Sequence, residues 1–206
     1  MLKSKTRIFE AALLAALCLA LCAGTWAEGR QAALSSRLVR LHVIAASDDE
    51  YEQAMKLRVR DAVLEYLEPE LAGVEDSAAA RERISGLLSG IARAAASAAE
   101  GRGVTVTLSR EDYPTRQYEG FALPAGEYDS LRVIIGEGQG RNWWCVVFPP
   151  LCTDSVGNTE VLAAMSGDDY GIISESEGYE LRFRTLELWG ELRAMLRGED
   201  TGAAEP

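Results

Sequence analysis

The sequence predicts one α+β domain: a mostly antiparallel sheet of about four to five strands, two long helices and a C-terminal helix, preceded by a signal peptide. A length of 206 residues suits one domain with short extensions. Hydrophobic residues make up 48% and charged residues 26%, which is typical of folded chains. Strand-like and helix-like segments follow one another in irregular order, which favours a sheet with helices on one face.

The N-terminus has the layout of a secretory signal. Three basic residues beginning at Lys3 precede the uncharged run 11–23, and the small residues Thr25 and Ala27 follow at the cleavage positions. We therefore expect residues 1–27 to be a signal peptide that is removed on export. The alternative is an uncleaved anchor, although the apolar run is shorter than the roughly 20 residues that a spanning helix needs.

Charge and composition narrow the classes of function. Without residues 1–27 the chain keeps 18 basic and 31 acidic residues, a formal charge of −13, which disfavours nucleic acid as a partner. His42 is the single histidine, so a metal site or proton relay that needs two imidazoles is excluded. We expect no metal, no cofactor and no catalytic residue.

The first predicted elements are a strand and a helix. Residues 38–45 alternate and are β-branched, which predicts a strand. Ser47 or Asp48 can then cap a helix over 51–67, which Pro69 helps to end.

The spacing of side chains assigns two faces to this helix. Apolar residues from Tyr51 onward recur at helical spacing and are expected to pack inward. Gln53, Lys56 and Arg60 fall on a neighbouring face that we expect to be more exposed.

The rest of the chain continues the α+β pattern. We expect a single α+β domain over 38–197 and a disordered acidic tail over 198–206. The patterns predict a helix over 77–100, a strand over 104–109, a tyrosine-rich connector over 113–126, a hairpin of strands 131–135 and 142–148 around the glycine-rich turn 136–140, a short helix over 160–165, a strand over 179–183 and a helix over 186–196.

Two cysteines remain after removal of the signal peptide. Cys145 and Cys152 enclose a short segment that contains Pro149 and Pro150, and an exported protein favours a disulfide between them. Two buried free thiols are the alternative.

Adjacent tryptophans in a strand point to opposite sides of the sheet. We therefore expect one of Trp143 and Trp144 to enter the core and the other to face outward, as interface anchors do; the alternative is that the helices cover both indoles. Together with the start of the first helix, this strand gives the candidates for partner binding: Arg40, His42, Ser47, Asp48, Lys56, Arg60, Trp143, Trp144, Pro149 and Pro150.

The alternative function is that of a secreted cysteine-type hydrolase. It would use Cys145 as nucleophile, His42 as base and Asp48 to orient the imidazole. No nucleophile elbow supports it. A structural coat protein is disfavoured because repeats and low-complexity tracts are absent from the sequence.

The chain resembles a known family over residues 38 to about 152. Ala46 departs from the pattern, because the family usually carries Asn there. The segments that resemble stage II sporulation protein R of endospore-forming bacteria are 40–48, 57–64, 113–116, 123–128 and 142–152, the last reading Asn-Trp-Trp-Cys-Val-Val-Phe-Pro-Pro-Leu-Cys.

The resemblance implies an intercellular signal. Such a protein is made in the forespore and exported into the space between the forespore and mother-cell membranes, where it is close to a membrane but does not span one after cleavage. There it is needed for a membrane-embedded aspartic protease of the mother cell to process the precursor of sigma factor E.

Overall fold

The computed structural model describes residues 2–118 and 121–151. It has long helices and a sheet, in the α+β class that the sequence predicts. The helices are α1 (Leu2–Ser35), α2 (Glu50–Leu71) and α3 (Ser77–Ala98); the strands are β1 (Val39–Ile44), β2 (Val104–Tyr113), β3 (Arg116–Tyr118), β4 (Phe121–Leu123), β5 (Gly126–Ile135) and β6 (Asn142–Phe148).

Four strands form the main sheet in the order β2-β5-β1-β6. The β2–β5 and β1–β6 pairs are antiparallel, whereas β1 and β5 are parallel. The prediction of a mostly antiparallel sheet with two long helices is therefore confirmed. The elements predicted over 160–165, 179–183 and 186–196, and the tail over 198–206, lie outside the described residues.

The central strand β1 is buried along its whole length. Val39, Leu41 and Val43 point to the side where α2 and α3 pack, in a core that also contains Met55 and Ile84. We call this side the helix face.

A second core covers the opposite side of the sheet, which we call the tyrosine face. Tyr113 and Tyr128 are buried there with Leu38, Leu123 and Val146. Leu34 and Ser35, in the last turn of α1, are also buried, at 2% and 3% exposure. This side of the sheet is therefore covered by the end of α1, the small β3–β4 sheet and the chain after β6.

The predicted hairpin is wrong, because β5 and β6 do not pair with each other. Both pair with β1, which lies between them. The glycine-rich segment 136–140 passes over the end of β1, where the amide of Gly140 donates to the carbonyl of Ala45 at 2.9 Å. Space for this crossing exists because position 140 has no side chain: a Cβ there would lie 2.2 Å from the carbonyl oxygen of Ser47.

The helices begin and end close to the predicted positions, with local differences. α2 continues through Pro69 to Leu71, and Asp49 stands at its N-cap without a side-chain hydrogen bond. Asp76 caps α3 by accepting a hydrogen bond from the amide of Ala79 at 2.8 Å. The connector predicted over 113–126 contains the end of β2 and the β3–β4 pair.

Two predicted orientations on α2 are wrong. Tyr51, expected in the core, is 51% exposed, and Lys56, expected on a more exposed face, is only 5% exposed. Val59 and Val63 lie on the buried stripe as expected.

The N-terminal helix α1 is the part of the described chain that is long and apolar enough to cross a membrane. The segment Phe9–Ser35 contains an 18-residue window with a mean hydropathy of 1.8, and the large apolar side chains from Phe9 to Trp26 are exposed, whereas Leu34 in the last turn is buried. Because the helix is at the N-terminus, it also fits a signal sequence.

Candidate functional site

A chain of hydrogen bonds crosses all four strands on the tyrosine face. The hydroxyl groups of Tyr113 and Ser130 are 2.7 Å apart, and Ser130 donates to Glu111 Oε2 at 2.7 Å. Glu111 Oε1 lies 2.9 Å from His42 Nδ1, and His42 Nε2 lies 2.8 Å from Asn142 Oδ1. Both ring nitrogens of His42 therefore face oxygen atoms, which fixes the orientation of the imidazole.

Glu111 is the charged centre of this chain. Burial raises the pKa of its carboxyl, but hydrogen bonds to His42 and Ser130 and the charges of His42 and Arg132 outweigh burial. The pKa of Glu111 therefore lies below its ordinary value, so the group is a carboxylate at neutral pH.

Arg40 lies beside this chain and is fully buried. Its guanidinium carbon is 3.9 Å from the ring centre of Tyr113 and 4.9 Å from that of Tyr128, and Nη2 donates to the hydroxyl of Tyr118 at 2.5 Å. Within residues 2–118 and 121–151, Nε and Nη1 have no hydrogen-bond partner. The positive charge is therefore stabilised by aromatic rings rather than by a carboxylate in this part of the chain.

The tyrosines around Arg40 are neutral. Burial raises the pKa of Tyr113 and Tyr118, and it raises the pKa of Tyr128 to about 12. The aromatic cage therefore carries no charge of its own at physiological pH.

The two tryptophans point to opposite faces, as the strand period predicts. Trp144 lies on the tyrosine face, 5.3 Å from the His42 ring, with the Arg116 guanidinium 3.8 Å above its indole. Trp143 lies at the margin of the helix face, with Arg60 4.5 Å above it. Both indoles are half-buried and each is covered by an arginine, so the expected division into one core tryptophan and one outward-facing tryptophan is wrong.

A second polar group joins the start of α2 to the residues before β6. Lys56 donates to the carbonyl of Arg141 at 2.9 Å, Gln53 donates to the carbonyl of Ser47 at 2.8 Å, and the amide of Arg141 donates to Asp48 Oδ1 at 2.7 Å. We call these five residues the helix-start cluster. Burial, followed by the nearby charge of Arg141, lowers the pKa of Lys56.

The structure divides the predicted partner-binding residues into three places. The helix-start cluster contains Ser47, Asp48 and Lys56, and Arg60 and Trp143 lie farther along α2 and β6. The tyrosine face contains Arg40, His42 and Trp144. The other end of β6 is followed by Pro149 and Pro150. Because Arg40 is fully buried, any effect it has on a partner acts through its neighbours.

The cysteine-type hydrolase has no geometric support. His42 and Cys145 occupy adjacent strands but point to opposite faces of the sheet, since Cys145 is opposite Leu41. Cys145 is also disulfide-bonded, whereas Cys18 and Cys22 are free. Its predicted partner, Cys152, lies outside the described residues. This pair cannot act as nucleophile and base.

Sequence reasoning missed several residues of the tyrosine face. Glu111, Tyr113 and Ser130 were not singled out, although Glu111 and Tyr113 continue the alternation that begins at Val104. Extending that alternation past residue 109 would have placed both on the side opposite Val104. Among the described residues, no group of three or more His, Cys, Asp or Glu side chains is arranged to hold a metal ion.

Comparison with known proteins identifies the family. A protein of Bacillus subtilis (strain 168) named Stage II sporulation protein R is 32% identical over 139 residues, which are 66% of this chain and 62% of that protein. The match thus spans less than two thirds of the relative's length. No solved structure matches this chain at a significant level. The profile of Stage II sporulation protein R matches residues 35–158, which include the whole sheet, α2 and α3. The chain therefore belongs to the stage II sporulation protein R family.

Proposed function

We propose that this protein is an exported sporulation signal. It activates, by protein recognition, a membrane-embedded aspartic protease of the mother cell that processes the precursor of sigma factor E. The observation that carries the proposal is the family match over residues 35–158, because these residues build the sheet and both polar groups. The identity of the partner comes from the resemblance described above.

The N-terminal helix supports export as part of this function. α1 has the length, hydropathy and position of a signal sequence. A protein directed by such a helix enters the space between the forespore and mother-cell membranes, where the extracytoplasmic part of a mother-cell membrane protein is accessible to it.

Recognition is a better explanation of the geometry than hydrolysis. The buried polar chain of the tyrosine face includes the single histidine but no cysteine, and the Ser130 hydroxyl donates to Glu111 rather than to His42. In contrast, Trp143 and Arg60 form a stacked pair at the surface, and tryptophan and arginine are the residue types that dominate binding energies at interfaces.

Cleavage of the precursor provides the test. The exported protein is purified and added to membranes that contain the protease, and appearance of the processed sigma factor is followed. We expect cleavage with these membranes and none with membranes whose protease lacks a catalytic aspartate. Absence of cleavage with the active protease would contradict the proposed function.

A variant pair tests recognition through the stacked pair. Trp143→Ala is expected to lower the potency of the protein about thirtyfold, the effect of losing about 2 kcal/mol at an interface. Arg83→Ala is the matched control, because Arg83 forms a surface ion pair with Glu70 at the far end of α2. Equal potency of both variants, measured with folded protein, would exclude Trp143 from the interface.

A further inference from the structure

We propose that Tyr51, Arg58, Glu100 and Arg102 form a second protein-binding surface, which takes a basic segment of a partner protein. We call these residues the Tyr51 patch. The inference rests on the proposed function, because that function supplies the partner, a protease in a membrane. The surface itself is identified from exposure, contacts and charge.

Exposure is the first argument. Among the described residues after α1, Tyr51 is the one large hydrophobic side chain that is exposed, at 51%. The apolar stripe of α2 begins with this residue in the sequence, yet the core starts one turn later, at Met55. Tyr51 is therefore not required to close the core.

The contacts of Tyr51 hold it in one orientation. Its hydroxyl donates to Glu100 Oε2, and the guanidinium carbons of Arg58 and Arg102 lie 5.9 Å and 5.4 Å from its ring centre. Arg58 is itself bound to Glu100 at 2.8 Å, and Arg102 is bound to Glu52. The ring is thus fixed by two elements, the start of α2 and the turn after α3.

These contacts add little to the stability of the fold. Exposed ion pairs such as Arg58–Glu100, whose side chains are 47% and 48% exposed, contribute little to stability because water screens the two charges. Binding benefits more, because a tyrosine ordered before a partner arrives loses less conformational entropy in the complex. Tyrosine and arginine are also enriched among the residues that dominate interfaces.

Charge indicates the kind of partner. Both arginines of the patch are neutralised, Arg58 by Glu100 and Arg102 by Glu52. Asp49 and Glu50, immediately before Tyr51, are exposed and form no ion pair within the described part of the chain. The unneutralised side chains that directly precede Tyr51 at the start of α2 are therefore negative, which complements lysine and arginine side chains on a partner.

The Tyr51 patch is separate from the stacked pair of Trp143 and Arg60. Tyr51 contacts Glu100, after α3, whereas Arg60 stacks on Trp143 of β6 and Lys56 contacts Arg141, before β6. The two surfaces lie on different sides of the start of α2, so a variant of one leaves the contacts of the other in place.

Binding to membranes tests the patch. The exported protein, which begins at Glu28 after the predicted cleavage, is sedimented with membranes that contain the protease and with membranes that lack it. We expect Tyr51→Ala to bind the protease-containing membranes about thirtyfold more weakly than the wild type, the fold-change at which an interface residue counts as a hot spot. Glu65→Ala is the matched control, because Glu65 is an exposed residue of α2 outside the patch.

Charge reversal tests the nature of the partner. The double variant Asp49→Lys and Glu50→Lys is expected to bind at least tenfold more weakly, and thermal unfolding should show each variant as folded as the wild type. Wild-type affinity of either Tyr51→Ala or the double variant would overturn the inference while leaving the proposed function intact. A wild-type protein that binds both kinds of membrane equally would overturn both.

Discussion

Glu111 links the strands of the tyrosine face through one carboxylate. It accepts a hydrogen bond from Ser130 and pairs with His42, on two different strands. Hydrogen bonds to a partly buried charge are stronger than those between neutral groups, and removal of one partner leaves the other unsatisfied. We therefore expect Glu111→Gln to lower the free energy of unfolding by about 2 kcal/mol at neutral pH.

The pH dependence of stability follows from the same group. The pKa of Glu111 is lowered in the folded state, so its contribution is complete above its ordinary pKa of 4.5 and is lost as pH falls through the folded value. Urea unfolding at about pH 7 and about pH 3.5 should show the difference between wild type and Glu111→Gln shrinking in acid. A difference that stays constant would contradict this assignment.

Arg40 is stabilised in an unusual way for a buried cation. Ring faces surround it, and no carboxylate pairs with it in the described residues. We expect Arg40→Met, which keeps most of the volume, to destabilise the protein by less than about 1.5 kcal/mol, and Arg40→Ala, which leaves a cavity, by about 3 kcal/mol. Chemical denaturation measures both. Equal losses would mean that the charge matters more than the volume.

Individual residues show where sequence reasoning fails. The 3.6-residue period correctly placed Met55 and Val59 in the core, but it also placed Tyr51 there, although α3 does not cover that turn. Lys56 was expected to be more exposed because its spacing places it on the face next to the apolar stripe. It is buried because two oxygen acceptors, on Gln53 and Arg141, are within reach of its ammonium group.

At the scale of elements, the glycine-rich segment 136–140 lets the chain cross the end of β1, which lies between β5 and β6. A Cβ at position 140 would meet the carbonyl oxygen of Ser47 at 2.2 Å, whereas one at position 86 would meet nothing within 4 Å. We expect Gly140→Ala to lose about 2 kcal/mol of stability through overpacking. Gly86→Ala, in the middle of α3, should gain about 0.5 to 1 kcal/mol from higher helix propensity.

Thermal unfolding of the two glycine variants provides the comparison. Opposite shifts in melting temperature are expected, with the control rising and Gly140→Ala falling. A Gly140→Ala variant as stable as wild type would show that the crossing segment moves freely away from Ser47.

Local patterns were sufficient for α2, α3 and the longer strands, but they did not predict which strands pair with each other. α2, α3 and β1 were predicted within a few residues, because their periods are long and regular. The segment 136–140 has the length and glycine content of a hairpin turn, and those properties do not reveal that β1 occupies the space between the strands. The β3–β4 pair was missed because each strand has only three residues.

For the whole molecule, the end of α1 is part of the domain. Leu34 and Ser35 are buried, and the Ser36 carbonyl accepts a hydrogen bond from Ser77 at 2.5 Å. We expect a chain that begins at Glu28, the product of the predicted cleavage, to be about 2 kcal/mol more stable than one that begins at Leu38, because the latter loses the burial of Leu34. Urea unfolding of the two chains checks this, and equal midpoints would contradict it.

The central position of β1 affects the order of folding. Its neighbours in the sheet, β5 and β6, come more than 80 residues later in the chain. α2 and α3 can form from local contacts, whereas β1 must wait until the chain through Phe148 is present, and such distant pairing is slow. An unpaired strand rich in valine and leucine is prone to aggregate during this interval. Arg40 and His42 interrupt its apolar run, so the two polar residues that organise the tyrosine face also protect the strand before it is paired.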